Sequence, residues 1–285
     1  MNSLTRQWEE ESYLLVHGLF DAQTTRKLKG ICESVLAQWR HECPLTGKAG
    51  SDTPNASSMR HLNHPGYFEN NPAAKAELLE RAADPKILDI CRQILGAEPM
   101  FRCTSLFMNP LVQSTDGPWH RDSQFMHPDE AEEKKVLIDG GMAGKSIQLQ
   151  ITLIPSSDVE IVPGSHLRWD TAEEYAIRRA NGGENRCSNS MPNARRVAMQ
   201  PGDAIAFNPL CLHRGRYHTD KARLTFMLTY TSQSYPVSDY FSYQPWFLQE
   251  NYLAGLSAGT RQFYQRYIDQ YRSYWQTADK ATIGR

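Results

Sequence analysis

The chain has 285 residues, with 31 Lys and Arg against 32 Asp and Glu, for a formal net charge of −1. That balance argues against a protein whose main task is coating nucleic acid or an anionic membrane, while leaving room for a local basic patch. Hydrophobic residues make up 40% and aromatics 10%, which supports a sizeable core and excludes global disorder.

Met1 to Glu11 is polar and charged and lacks the apolar central run of a secretory signal. No stretch reaches the roughly eighteen consecutive apolar residues of a membrane span. The cysteines are Cys32, Cys43, Cys91, Cys103, Cys187 and Cys211. None forms a C-x-x-C pair, the spacings match no zinc ribbon, and the density is too low for a disulfide scaffold. A cytoplasmic protein with mostly buried, reduced cysteines is expected.

Asp21 is placed to cap a helix that carries Leu28, Ile31, Val35 and Trp39 on one face. A loop rich in Gly, Ser, Asp and Asn follows, from about Thr46 to Ser58. A second helical stretch starts near Pro72, breaks near Asp84-Pro85, continues through Ile87, Ile90 and Ile94, and stops at Gly96. From Pro99 the chain shows short apolar runs between turns. Ser146 to Leu153 and Arg223 to Tyr230 alternate with period two, which marks strands. Gly117-Pro118, Pro163-Gly164-Ser165 and Pro201-Gly202-Asp203 supply turn chemistry. Many short strands after a helical start predict a sandwich, jelly roll or barrel with helical flanks. Near the C-terminus Phe263, Tyr267 and Tyr271 fall at helical spacing, with Tyr264, Ile268 and Trp275 beside them. That stripe is expected to pack on the domain or to form a homodimer with a second subunit. No repeat or linker is visible. A single domain over 1–285 is expected: helical support about 10–98, strand core about 99–232 and a C-terminal helical segment about 245–276.

Three of the nine histidines stand in an H-x-D setting, His120 with Asp122, His127 with Asp129 and His218 with Asp220, and the reading rests on the first. Residues two apart in an extended segment point the same way, so both side chains can reach one ion. His213, from a distant strand, would complete a set of two nitrogens and one carboxylate. Such a set suits Fe(II) and leaves coordination positions open. Arg223 follows ten residues later, on the polar face of the alternating strand. A planar guanidinium is the best bidentate partner of a carboxylate, so Arg223 suits the far end of a diacid chelating the metal. Thr225 shares its face and adds a hydroxyl. Each feature alone has a bland explanation: a chance H-x-D, a structural histidine, a solvated arginine. Their joint order carries the reading.

Other candidates are softer. Gln148 and Gln150 lie on the polar face of a strand whose other face is apolar. That face either points inward, with Gln148 a candidate for the chelating diacid and Gln150 for the substrate, or meets solvent. Asn109, Gln124 and His127 are pocket candidates. Trp119, beside a ligand, either packs or stacks on substrate. His166, in the Pro-Gly-Ser-His turn, reads as structural. Asp139 to Gly144 reads as a loop rather than a phosphate cradle, because no strand-to-helix context surrounds it. Arg178, Arg179, Arg186, Arg195 and Arg196 form a basic stretch: either a solvated surface or a lid over an anionic substrate.

The run Gly117-Pro118-Trp119-His120-Arg121-Asp122-Ser123-Gln124 resembles the metal-binding segment of the phytanoyl-CoA dioxygenase family of Fe(II)- and 2-oxoglutarate-dependent oxygenases. Val162-Pro163-Gly164-Ser165-His166, Pro201-Gly202-Asp203 and Leu212-His213-Arg214-Gly215 resemble later parts of the pattern, and Tyr13 to Asp21 its usual start. The resemblance covers roughly 10 to 232. It implies a double-stranded β-helix with helical flanks, His120, Asp122 and His213 on iron, and Arg223 on the tail of 2-oxoglutarate. It also implies that O2 and 2-oxoglutarate are consumed, with release of succinate and CO2, as a C–H bond of a small molecule is oxidised. Related halogenases carry a small residue where Asp122 stands, so hydroxylation, desaturation or ring formation is favoured over halogenation. Two other readings remain open: a catalytically silent jelly-roll binding protein, and a cupin-type metal enzyme that uses no oxoacid. No nucleic-acid or membrane partner is expected. Because the ligands bind deprotonated, metal affinity is expected to fall at acid pH.

Overall fold

The computed structural model describes residues 3–139 and 146–278. The glycine-rich segment 140–144 therefore lies outside the described residues.

Four helices precede or flank the first long strand: α1 (Ser3–Glu11), α2 (Ala22–His41), α3 (Pro72–Ala82) and α4 (Pro85–Leu95). Asp21 caps α2 by accepting from the Thr24 amide at 2.7 Å. Pro85 separates α3 from α4, since it can begin a helix but not continue one. Gly96 closes α4 in the left-handed conformation at φ 61°.

Ten strands are found among the described residues. They are β1 (Tyr13–Val16), β2 (Ser58–Arg60), β3 (Pro99–Met108), β4 (Thr115–Asp116), β5 (Ser146–Thr152), β6 (Ser156–Ile161), β7 (Arg195–Met199), β8 (Ala204–Phe207), β9 (His213–Tyr217) and β10 (Leu224–Ser232). A six-stranded sheet has the order β1-β8-β5-β10-β3-β2, and a four-stranded sheet the order β4-β9-β6-β7. Every pairing is antiparallel. From β3 to β10 the chain crosses repeatedly between the sheets, which is the winding of a double-stranded β-helix. Short helices fill the crossings: α5 (Ser123–Met126), α6 (Glu130–Ile138), α7 (Ala172–Arg178) and α8 (Ala180–Gly183). The sequence reading did not anticipate these. A long helix, α9 (Ala258–Thr277), ends the described chain.

Alternation decides which way the six-stranded sheet faces. Ile147, Leu149 and Ile151 of β5 and Phe226, Leu228 and Tyr230 of β10 join the main core with residues of α2, α3, α4 and α9. That core therefore lies on the outer face of the sheet. Gln148, Gln150, Thr225 and Met227 point the other way, into the barrel. A second cluster, including Val159, Ile161, Val197, Ile205 and Phe207, fills the space between the sheets. The turn before β8 needs glycine: Gly202 has φ 93°, and a Cβ there would sit 2.3 Å from the Phe20 carbonyl oxygen.

The aromatic stripe of α9 is spent inside its own chain. Tyr267 meets Phe101 at 5.1 Å and Phe247 at 5.2 Å between ring centroids. Trp275 donates its indole N–H to the Ser242 carbonyl at 2.7 Å. Of the two partners expected for this stripe, its own domain rather than a second subunit covers it. No helix among the described residues is long and apolar enough to cross a membrane.

Candidate metal centre

The site forms where the segment after β4 meets the start of β9. His120 and His213 pair as an antiparallel bridge, each amide donating to the other's carbonyl, at 3.1 and 3.0 Å. The Asp122 amide donates to the Pro209 carbonyl at 2.9 Å. These backbone bonds place three side chains together across 91 residues of sequence, and their donor atoms lie within 4.8 Å of one another.

Each imidazole is oriented by its own backbone. Nδ1 of His120 lies 2.8 Å from the Pro118 carbonyl oxygen, and Nδ1 of His213 lies 2.9 Å from that of Cys211. A carbonyl only accepts, so Nδ1 carries the proton and Nε2 keeps the lone pair. Both Nε2 atoms stand 3.6 Å from Oδ1 of Asp122. Burial, reinforced by His120 nearby, lowers the His213 pKa to about 4, so that ring is neutral at physiological pH. Gln148 donates its amide to Oδ2 of Asp122, leaving Oδ1 toward the histidines. Two imidazole nitrogens and one carboxylate oxygen on a common centre fit a divalent transition metal such as Fe(II).

Arg223 is 5% exposed at the entry to β10. Its guanidinium lies over Tyr217 at 4.7 Å and Phe107 at 5.3 Å, donates to the Arg216 carbonyl at 3.0 Å and stands 4.0 Å from Asp158. Its Nε and the Thr225 hydroxyl are buried without hydrogen-bond partners. Buried polar atoms are rarely left so, and two on one inward face fit the carboxylate of a bound diacid. Gln150 and Asn109 are also buried, each with an unpartnered amide oxygen; Asn109 donates to the Lys221 carbonyl at 2.7 Å.

Several candidates fall elsewhere. Trp119 turns away from the ligands into a small cluster with Val162, Ile177, Met191 and Leu212, and donates to the Ser188 carbonyl at 3.0 Å. It is a packing residue, because alternation sends it opposite to His120. Gln124 is held by Arg178 at 3.0 Å. His127 is half-buried just after α5. His166 is half-buried, and burial lowers its pKa to about 4.

The basic stretch is neither solvated surface nor lid at Arg178. That guanidinium is 3% exposed and pairs with Asp170 at 2.7 Å and Glu133 at 3.1 Å. Asp170 also holds Arg121, the residue between the two ligands, at 2.9 Å. Arg121 is wholly buried and donates to the carbonyls of Ser165 and Leu210 at 2.7 and 2.5 Å. Ser123 joins by donating to Glu133 at 3.0 Å. Arg195 pairs with Glu11 at 3.1 Å, and Arg196 donates to the Ser157 carbonyl at 2.5 Å. The ligand segment is thus clamped from behind by buried charges that the sequence reading missed. One signal was available: a charged residue between two ligands faces away from them, into the protein, where it needs an acid.

A search of curated proteins finds no match. Among solved structures the chain is similar to EctD from S. alaskensis, crystallised with 2-oxoglutarate and 5-hydroxyectoine: 19% identity, TM-score 0.59, 92% of this chain and 86% of that one. It is similar to SnoN, a non-heme alpha ketoglutarate dependent epimerase from nogalamycin biosynthesis: 18%, 0.55, 81% and 80%. It is also similar to SnoK, a non-heme alpha ketoglutarate dependent carbocyclase from the same biosynthesis: 15%, 0.56, 82% and 84%. These likenesses establish the shared fold. The family model for phytanoyl-CoA dioxygenase (PhyH) matches residues 8–225, most of the chain and both halves of the ligand set. The chain therefore belongs to the phytanoyl-CoA dioxygenase family.

Proposed function

We propose that this protein is a cytoplasmic, single-domain Fe(II)- and 2-oxoglutarate-dependent oxygenase that hydroxylates a C–H bond of a small molecule. The observation that carries the reading is the convergence of His120, Asp122 and His213 beside a buried, incompletely partnered Arg223. Iron with 2-oxoglutarate and O2 supplies the oxidising power, releasing succinate and CO2. The chain's own residues do the rest. His120, Asp122 and His213 would hold the metal on one side and leave the other open. Arg223 and Thr225 would hold the outer carboxylate of the oxoacid, and Gln148 keeps Asp122 in one orientation. The barrel wall excludes water. Six free cysteines, five of them buried, suit a reducing compartment. A carboxylate at Asp122 favours oxygen transfer over halogenation. An epimerase and a carbocyclase among the similar folds keep hydroxylation a matter for product analysis.

Two measurements test this. Fe(II) and 2-oxoglutarate, added without oxygen, should give the weak visible charge-transfer band of the chelate; iron-loaded protein without it would sink the reading. Arg223→Ala should raise the 2-oxoglutarate requirement far more than it disturbs iron loading, and equal effects on both would contradict the assigned role.

A further inference from the structure

Helix α9 carries a second row of side chains that its aromatic stripe does not use. At about 100° of turn per residue, Arg261, Gln265, Ile268 and Arg272 fall within an arc of about 60°, so they share one face. That face lines a groove of about 550 Å³, together with Leu248 and Leu253 from the segment before the helix. Ile268 is buried and forms part of the floor, while both arginines are exposed. The groove stands apart from the barrel interior, because α9 packs into the main core on the outer face of the six-stranded sheet.

Neither Arg261 nor Arg272 forms an ion pair among the described residues, whereas Arg266 on the neighbouring face reaches Glu98 at 3.6 Å. The lining of the groove holds no carboxylate. The acids around it lie outside that lining: Asp269 accepts from Gln265 at 2.8 Å, Glu80 is spent on Ser257 and Thr260 at the start of α9, and Glu250 is exposed. On a chain of net charge −1 this is a local cationic strip over an apolar floor. Along the helix axis the two arginines stand about 16 Å apart. That span exceeds a small dianion and matches an extended chain, in which residues i, i+2 and i+4 face one way and cover about 13 Å. The arginine side chains are long enough to close the difference. Ile268 stands between the arginines, where the middle side chain of such a trio would rest.

We propose that this groove docks an extended acidic segment of a partner protein, with carboxylates at positions i and i+4 and an aliphatic side chain at i+2. The two carboxylates pair with Arg261 and Arg272, whose planar guanidinium groups suit them, and the aliphatic side chain rests on Ile268. The surface is separate from the metal centre, so the proposal stands whether or not the oxygenase reading does.

The test is fluorescence anisotropy of labelled peptides with the full chain at low salt. The probe is Glu-Thr-Val-Thr-Glu between flanking glycines, with Gln-Thr-Val-Thr-Gln and the permuted Thr-Val-Glu-Glu-Thr as controls. The probe should bind about tenfold more tightly than the glutamine control, and the preference should shrink as salt is raised. Arg261→Gln and Arg272→Gln should each remove part of that preference and the double variant all of it. The proposal is overturned if the glutamine or the permuted peptide binds as well as the probe, or if the preference survives in the double variant. Glutarate or pyrophosphate displacing the probe at equal concentration would assign the groove to a small anion instead, and overturn it too. So would sedimentation showing a dimer that the double variant dissolves, since the occupant would then be a second copy. Should the double variant lose its cooperative melt, the single variants decide: a preference undiminished in either one sinks the proposal, and a reduced preference in both supports it.

Discussion

Gln148 shows how much of the centre depends on a residue that never needs to touch the metal. Its amide fixes one oxygen of Asp122 and so turns the other toward the two histidines. Gln148→Leu should keep the fold and weaken Mn(II) binding by about 10–100-fold, the usual cost of losing an outer hydrogen bond to a ligand. Unchanged affinity, read by electron paramagnetic resonance, would remove that role. Arg121 is the opposite case, felt in stability first. Arg121→Met leaves Asp170 buried with half its cationic partners and should cost about 3–5 kcal/mol in urea unfolding. A change below about 0.5 kcal/mol would mean the network is dispensable. The residues gathered at the centre were visible in sequence because H-x-D, a later His and a later Arg are chemically unusual together. Asp170, Glu133 and Arg178 were not, since a lone acid far along the chain looks like any solvated one.

At the scale of elements, periodicity was the reliable guide. The strands around Ile147 and Phe226 were legible because each alternates over a full length, and the helix after Asp21 because its cap and its apolar face agree. What periodicity could not say was which face of β5 looks inward. Only the helices packed behind the sheet settle that, and they place Gln148 and Gln150 inside. The short helices α5 to α8 were illegible for a related reason. α6 and α7 are joined by long-range ion pairs, and α5 is tied to them by hydrogen bonds from Ser123 and to Gln124, with no long apolar stripe to announce them. The stripe of α9 was legible, but not its partner. Tyr267→Ala should destabilise the chain by about 3–5 kcal/mol at every protein concentration. A loss that varied with concentration would point back to a subunit interface.

For the molecule as a whole, the main core runs from Trp8 to Trp275 and ties the leading helices, the barrel and α9 into one apolar cluster. Unfolding should therefore be a single transition by fluorescence and circular dichroism. Its pH dependence has a definite sign. Burial lowers the pKa of His61 to about 3 and of His64 and His166 to about 4, against 6.5 for the exposed ring. Between pH 6.5 and 4 the unfolded chain binds protons that the folded chain refuses, so stability falls as pH falls through that window. Above it these histidines contribute no slope. Urea midpoints that stay level from pH 7 to pH 5 would show that the three rings are not buried as described.

The centre is built from both halves of the barrel. The histidines belong to the four-stranded side, at β9 and the segment after β4, while Arg223, Thr225 and Gln148 belong to the six-stranded side. On the proposed assignments a metal alone would grip one half, and an oxoacid alone would grip the other. Together, joined to each other, they would form a strut between the sheets. The two ligands should then be thermodynamically coupled: Mn(II) and 2-oxoglutarate added together should raise the melting temperature by more than the sum of their separate shifts.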